Sequence, residues 1–237
     1  MSVKTNRFSG ALWFNKEHNS DKTIDNYPAL IVGLGATGSF LSLFLARAGV
    51  KDFILVDPDI IEPHNNFSQL FSYSQLEQEK VFAANENMNS FATTSSCDTY
   101  VSKIEELDWG HVNHSKIYLA TLDSMAGRKY LFEKWLEDSP EDSIFFDSRI
   151  GAELWEVYAI EKGNQAKIDK YKETLFSDEE GNGGACNYQQ SSHSAAGAAI
   201  KIVELLTNWI TNNILEETDL PYKVTNDIRT CTYGVNS

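Results

Sequence analysis

After residue 28 the chain alternates between short apolar runs and longer amphipathic stretches. Ala29 to Val32 is an unbroken apolar run, and Phe53 to Val56, Lys116 to Ala120 and Ser143 to Phe146 read as further buried strands. Ser95 to Ser102 reads as a strand with a polar side, and Trp155 to Ile160 as one more, set antiparallel. Between them, Ser39 to Ala48, Gln75 to Met88 and Met125 to Leu136 follow a helical period. Strands and helices in this order predict an α/β fold: a Rossmann-like, doubly wound, mostly parallel sheet with helices on both faces. Lys162 to Asn187 is polar and Gly-rich and reads as a long loop, a lid or crossover segment. A C-terminal helix, Ser191 to Ile214, follows it. The expected organisation is an N-terminal segment 1–26, one main domain over 27–224 and a tail 225–237.

The first strand runs straight into Gly33-Leu34-Gly35-Ala36-Thr37-Gly38. Here Gly33 allows a tight turn, Gly35 lets a phosphate approach the backbone, and Gly38 lets helix and strand pack closely. The free amides at the start of the next helix would receive that phosphate. The motif predicts a nucleotide site and leaves NAD, FAD and ATP open.

Charge narrows the partners. The chain carries a formal charge of −14, which repels nucleic-acid backbones and predicts no DNA or RNA footprint. Its start, Met1 to Phe8, is polar, and no window reaches about 18 apolar residues. A soluble, cytoplasmic protein without membrane contact is expected. The three cysteines, Cys97, Cys186 and Cys231, form no CxxC pair and exclude a four-cysteine zinc site within one chain. None of the five histidines shows metal-ligand spacing.

In sheets of this kind, ligands bind beyond the carboxyl ends of the strands. Asp57 and Asp59 follow the second strand, Asp123 the fourth, and Asp147 and Arg149 the fifth. Asp57 lies at the distance from the glycines where a carboxylate binds ribose hydroxyls. The full order is Gly33-x-Gly35-x-x-Gly38, Leu45-Ala-Arg-Ala-Gly49-Val50, Asp57-x-Asp59, Asn65, Lys80, and Asp123 with Arg128. This ordered set resembles the ThiF/MoeB/ubiquitin-activating enzyme family, well over about residues 27 to 160 and more loosely through the helix after Cys186.

The resemblance implies ATP-dependent adenylation of the C-terminal carboxylate of a ubiquitin-like protein, a sulfur carrier or a peptide. It assigns Asp57 to the ribose, Asn65 and Lys80 to the phosphates, and Asp123 to Mg²⁺ or to the shape of the site. Asp123 also reads as a cap for the helix from Met125, and Arg128 as a structural or electrostatic partner of the site. Arg149 reads either as a site residue or as a structural partner of Asp147, Glu153 or Glu156. Cys186, before a helix, reads either as a thioester-forming nucleophile or as an inert turn residue. A homodimer and a conjugating-enzyme partner are further expectations from the resemblance. The zinc-binding cysteine pairs of many members are absent, so no zinc is expected. Two arginines of the family pattern are replaced, by Gly10 and Ser68. Their loss motivates a second reading, a catalytically impaired nucleotide-binding or scaffold subunit. An NAD-dependent oxidoreductase is the third reading, disfavoured because a separate substrate domain and an evident acid–base pair are lacking.

Overall fold

The computed structural model describes residues 24–176, 190–211 and 219–237. Along these residues the chain runs β1 (Ala29–Val32), α1 (Ala36–Ala48), β2 (Asp52–Val56), α2 (Lys80–Phe91), β3 (Ser96–Tyr100) and β4 (Ile117–Ala120). It continues through α3 (Met125–Asp138), β5 (Ile144–Gly151), β6 (Leu154–Glu161), α4 (Gln165–Lys172), α5 (Ser192–Thr211), β7 (Lys223–Asp227) and β8 (Thr232–Asn236). All eight strands form one sheet in the order β3-β2-β1-β4-β5-β6-β7-β8. The pairs among β1 to β5 are parallel, and those from β5 through β8 are antiparallel.

The central strands are apolar on both sides because helices cover both faces. Leu30, Val32, Ile54, Tyr118 and Phe145 belong to the core shared with Leu131, Phe132 and Trp135 of α3 and Tyr171 of α4. Their sequence neighbours Ile31, Leu55, Leu119 and Phe146 belong to the opposite core, with Leu41 and Leu45 of α1, Met88 of α2, and Ala198 and Ile202 of α5. Each such side chain, buried fully, contributes about 1.5–3 kcal/mol. This double burial fixes the sheet and therefore the place where its strand ends meet. The strand order reverses between β1 and β4, and ligands of this architecture bind at that switch point.

Three elements differ from the sequence expectation. The helix expected from Gln75 starts at Lys80. Gln75 instead closes a short 3₁₀ turn, Tyr73–Gln75, where its Oε1 accepts the Ser72 N–H at 3.0 Å. The following Glu77 sits at φ 68°, which interrupts any helix there. The polar stretch after Lys162, expected to be loop, contains α4, whose start is capped by the Asn164 side chain accepting from Lys167 N–H. Ile168 and Tyr171, three residues apart, bury that helix against the sheet. The residues from Thr225, expected to be a tail, complete β7 and form β8, which extend the sheet beyond β6. The rest of the expected loop, residues 177–189 with Cys186, lies outside the described residues, as do residues 1–23 with Gly10.

Candidate functional site

The glycine turn is shaped by sterics. Gly33 has φ 90°, donates its N–H to the Val56 carbonyl at 2.8 Å, and accepts from Thr121 Oγ1 at 2.5 Å. A Cβ on Gly38 would stand 1.9 Å from the Gly33 carbonyl oxygen and 2.8 Å from Thr121 Oγ1, so no side chain fits there. Gly35 is different. Among the described residues, a Cβ there would meet only the Gln69 Nε2, at 4.0 Å. Gly35 is also the N-cap of α1, and no side chain among the described residues caps that helix. Open space therefore lies against an uncapped helix start, where orphan amides and the helix dipole favour an anion.

Asp57, at the end of β2, is 4% exposed. Its Oδ2 accepts the Leu34 N–H at 2.6 Å and its Oδ1 accepts the Asp59 N–H at 2.9 Å. This carboxylate thus holds the glycine turn itself. Burial pushes its pKa above the ordinary value, against the pull of Lys80 and of the two backbone N–H groups. Lys80 opens α2 with a nearly buried side chain, and its Nζ donates to Asp59 Oδ2 at 2.8 Å. Asp57, Asp59 and Lys80 form one cluster beside the turn. Asn65 is buried in the 3₁₀ turn Pro63–Phe67, where its Oδ1 accepts the Glu62 N–H at 2.8 Å. Ser68 closes that turn.

Across the crevice, Asp123 is exposed just beyond β4. It does not cap α3 as the sequence suggested. Ser124 does, with its Oγ accepting the Gly127 N–H at 3.1 Å. Arg128 is 4% exposed and pairs with the fully buried Asp147. Burial lowers its pKa to about 10, with Tyr171 and Asp123 opposing. Asp147 and Arg149, expected beyond the fifth strand, lie inside β5, which runs on to Gly151, and Arg149 pairs with Asp147. Its Nε donates to Asp147 Oδ2 at 2.8 Å, its other nitrogens donate to Thr174, and its guanidinium lies 4.7 Å from the Tyr158 ring centre. It is turned toward β6 and α4 rather than placed in the Asp57–Lys80 cluster. Cys97 is partly buried, and burial, then Asp98, pushes its thiol up to about 12.

Sequence reasoning missed Thr121, Gln69 and Ser124. The signal for Thr121 was a polar residue directly after the fully buried β4; its hydroxyl ties that strand end to the carbonyls of Val32 and Gly33. Among the described residues, no cluster of three or more His, Cys, Asp or Glu could hold a metal ion. A cation at Asp123 would draw its other ligands from phosphates and water, which is how Mg²⁺ is ordinarily held beside nucleotides. No helix among the described residues is long and apolar enough to cross a membrane.

A doubly wound sheet with a glycine turn and an open cradle at its switch point defines a Rossmann-like α/β protein. The ThiF family pattern matches residues 12–139, more than half of the 237 residues, and the chain belongs to that family. Over 90 residues the chain is 30% identical to ubiquitin-like modifier-activating enzyme 5 of Dictyostelium discoideum, a stretch covering 38% of this chain and 24% of that protein. Over 108 residues it is 26% identical to the NEDD8-activating enzyme E1 catalytic subunit of the same organism, covering 45% of this chain and 24% of that one. The matched stretch thus spans about a quarter of these relatives' length. Among solved structures, E. coli MccB with ATP superimposes with a TM-score of 0.67 at 17% identity, over 92% of this chain and 65% of MccB. PaaA superimposes with a TM-score of 0.70 at 15% identity, over 90% of this chain and 64% of PaaA. At these identities the likeness is one of fold.

Proposed function

We propose that the chain binds ATP in this crevice and adenylates the C-terminal carboxylate of a ubiquitin-like protein, a sulfur carrier or a peptide. The observation that carries this reading is the open space at Gly35, against the uncapped start of α1 and at the switch point of the sheet. Membership of the ThiF family supports it, as do the structures of MccB with ATP and with MccA.

In this reading the free amides at the start of α1 receive phosphate oxygens, and Asp57 accepts from the ribose. Asn65 offers its amide nitrogen to the phosphates, since its oxygen serves Glu62. Lys80 exchanges part of its bond with Asp59 for the negative charge that builds on the phosphates. A magnesium ion beside Asp123 would supply further charge neutralisation there. The substrate carboxylate is already ionised near neutral pH, so no general base is required. Its oxygen bonds to the α-phosphorus while the α–β phosphoanhydride bond breaks, and pyrophosphate leaves with the electron pair. We assign no thioester to Cys186; the acyl-adenylate then passes directly to another nucleophile. A homodimer, a conjugating-enzyme partner and a cytoplasmic setting belong to the same proposal.

Pyrophosphate exchange into ATP tests the assignment, with carrier proteins or peptides ending in a free carboxylate as the trigger. Lys80→Ala is expected to slow exchange by about 100-fold or more. Exchange at the wild-type rate would remove Lys80 from the site. The second reading, a nucleotide-binding subunit without catalysis, is favoured by Ser68, which places a short neutral side chain where the family pattern carries an arginine. Tight Mg·ATP binding with no exchange for any carrier would select it.

A further inference from the structure

Arg128 joins parts of the crevice that are distant in sequence. Its guanidinium pairs with Asp147, which is fully buried, and its Nη1 donates to the Ser148 carbonyl at 3.3 Å. Its Nη2 donates to the Leu122 carbonyl, in the peptide group that leads into Asp123. Beyond this centre the contacts continue on two sides. Ser148 Oγ lies 3.1 Å from Thr37 Oγ1 in the first turn of α1. Asp147 Oδ2 accepts from Arg149 Nε at 2.8 Å and from the Tyr171 hydroxyl at 2.9 Å. A continuous polar chain therefore runs from the helix start that faces the cradle, across the middle of β5, to the turn that presents Asp123. Arg128 is its only member that touches both the Asp123 turn and β5.

We propose that Arg128 is a positioning residue: its planar fork locks the turn of residues 121–124, and with it Asp123, against the middle of β5 and the first turn of α1. The geometry stands alone, and its consequence for a nucleotide rests on the ATP reading above. A lysine keeps the charge beside Asp147 but lacks the fork that reaches both carbonyls. The Ser124 cap holds the start of α3 without Arg128, so a helix-stabilising role and a positioning role make different predictions.

The test compares wild type with Arg128→Lys, using amide hydrogen exchange on the ligand-free chain and calorimetric titration with ATP, with and without Mg²⁺. Exchange is expected to rise about tenfold or more in residues 121–124 and to stay unchanged in β1 and β4. Affinity for metal-free ATP is expected to hold within about twofold, while the gain from Mg²⁺ falls about fivefold or more. Asp123→Asn should cause the same loss, and the double variant should add nothing to it. Unchanged exchange in 121–124 overturns the proposal. So do equal losses with and without Mg²⁺, or additive effects of the two substitutions. If the lysine variant does not fold, Arg128→Gln replaces it, because Asp147 keeps its pair with Arg149. Wild type that binds no ATP would refute the adenylation reading, and the exchange result would still decide whether Arg128 holds the turn.

Discussion

Gly35 and Gly38 lie one helical turn apart and do different work. Gly38 has no room for a methyl group, and Gly35 has room that nothing in the described chain fills. Gly38→Ala should therefore cost about 2 kcal/mol or more by forcing the turn apart. Gly35→Ala should cost about 1 kcal/mol or less, as an N-cap change, and should act on ligand binding instead. Denaturant unfolding of the two variants checks the contrast, and equal destabilisation would contradict it. Asp57 offers a second test. Burial raises its pKa above 3.8, so the folded chain holds this proton more tightly than the unfolded chain. This group adds stability as pH falls through its raised value toward 3.8, and that increment is lost again as pH rises. Asp57→Asn removes the increment. Denaturant midpoints taken between about pH 7 and about pH 4 should show wild type gaining on the variant as pH falls. A constant or shrinking difference would contradict the direction. That Asp57 and Lys80 gather beside the glycine turn was legible because these residues follow one another in a fixed order along the alternating strands and helices. Around Asp147, the pair with Arg149 was among the sequence alternatives because the two lie two residues apart on β5, whereas the contacts from Arg128 and Tyr171 were not legible, because they come from α3 and α4 and reach Asp147 only in the folded sheet. Thr121 and Gln69 were hidden likewise by contacts that span the fold.

Among the elements, the buried strands and the long helices were readable because hydrophobic period and burial agree in them. Helix α4 was not, since only Ile168 and Tyr171 mark its apolar side among lysines and other polar residues. The β7–β8 hairpin was hidden for a related reason. Its outer strand is largely exposed, with Tyr233 and Val235 open to solvent, so no buried face marks it in sequence. Yet the segment that leads into it is anchored: Leu220, Tyr222 and Val224 are buried, and Lys167 donates to the Leu220 carbonyl at 2.6 Å. Truncation after residue 218 should therefore remove core as well as edge. The expected result is a chain with a lowered midpoint of thermal unfolding and a broadened transition, with the bared β6 edge promoting aggregation. A truncated chain as stable and monodisperse as the full one would show that the hairpin is an ornament.

At the scale of the whole molecule, the sheet brings five parallel strand ends to one crevice and adds three antiparallel strands to one side. A groove of about 550 Å³ opens elsewhere, between α1 and α5, lined by Phe44, Ile200 and Val203 with Glu204, Thr207 and Asn208. It lies on helix flanks, while the polar cluster of Asp57, Asp59 and Lys80 lies at the strand ends, so cavity size and chemistry point to different places. We propose the strand ends as the functional site, because an uncapped helix start, a buried carboxylate and a lysine converge there. Turnover needs the cognate carboxylate as well as ATP, whereas binding needs ATP alone. Binding is therefore the level at which the account is tested most directly. Calorimetric titration of wild type and of Gly35→Ala with Mg·ATP is that measurement. The account predicts saturable one-site binding to wild type and at least about tenfold weaker binding to the folded variant. Absence of binding to wild type, or equal affinity in the two proteins, would contradict it.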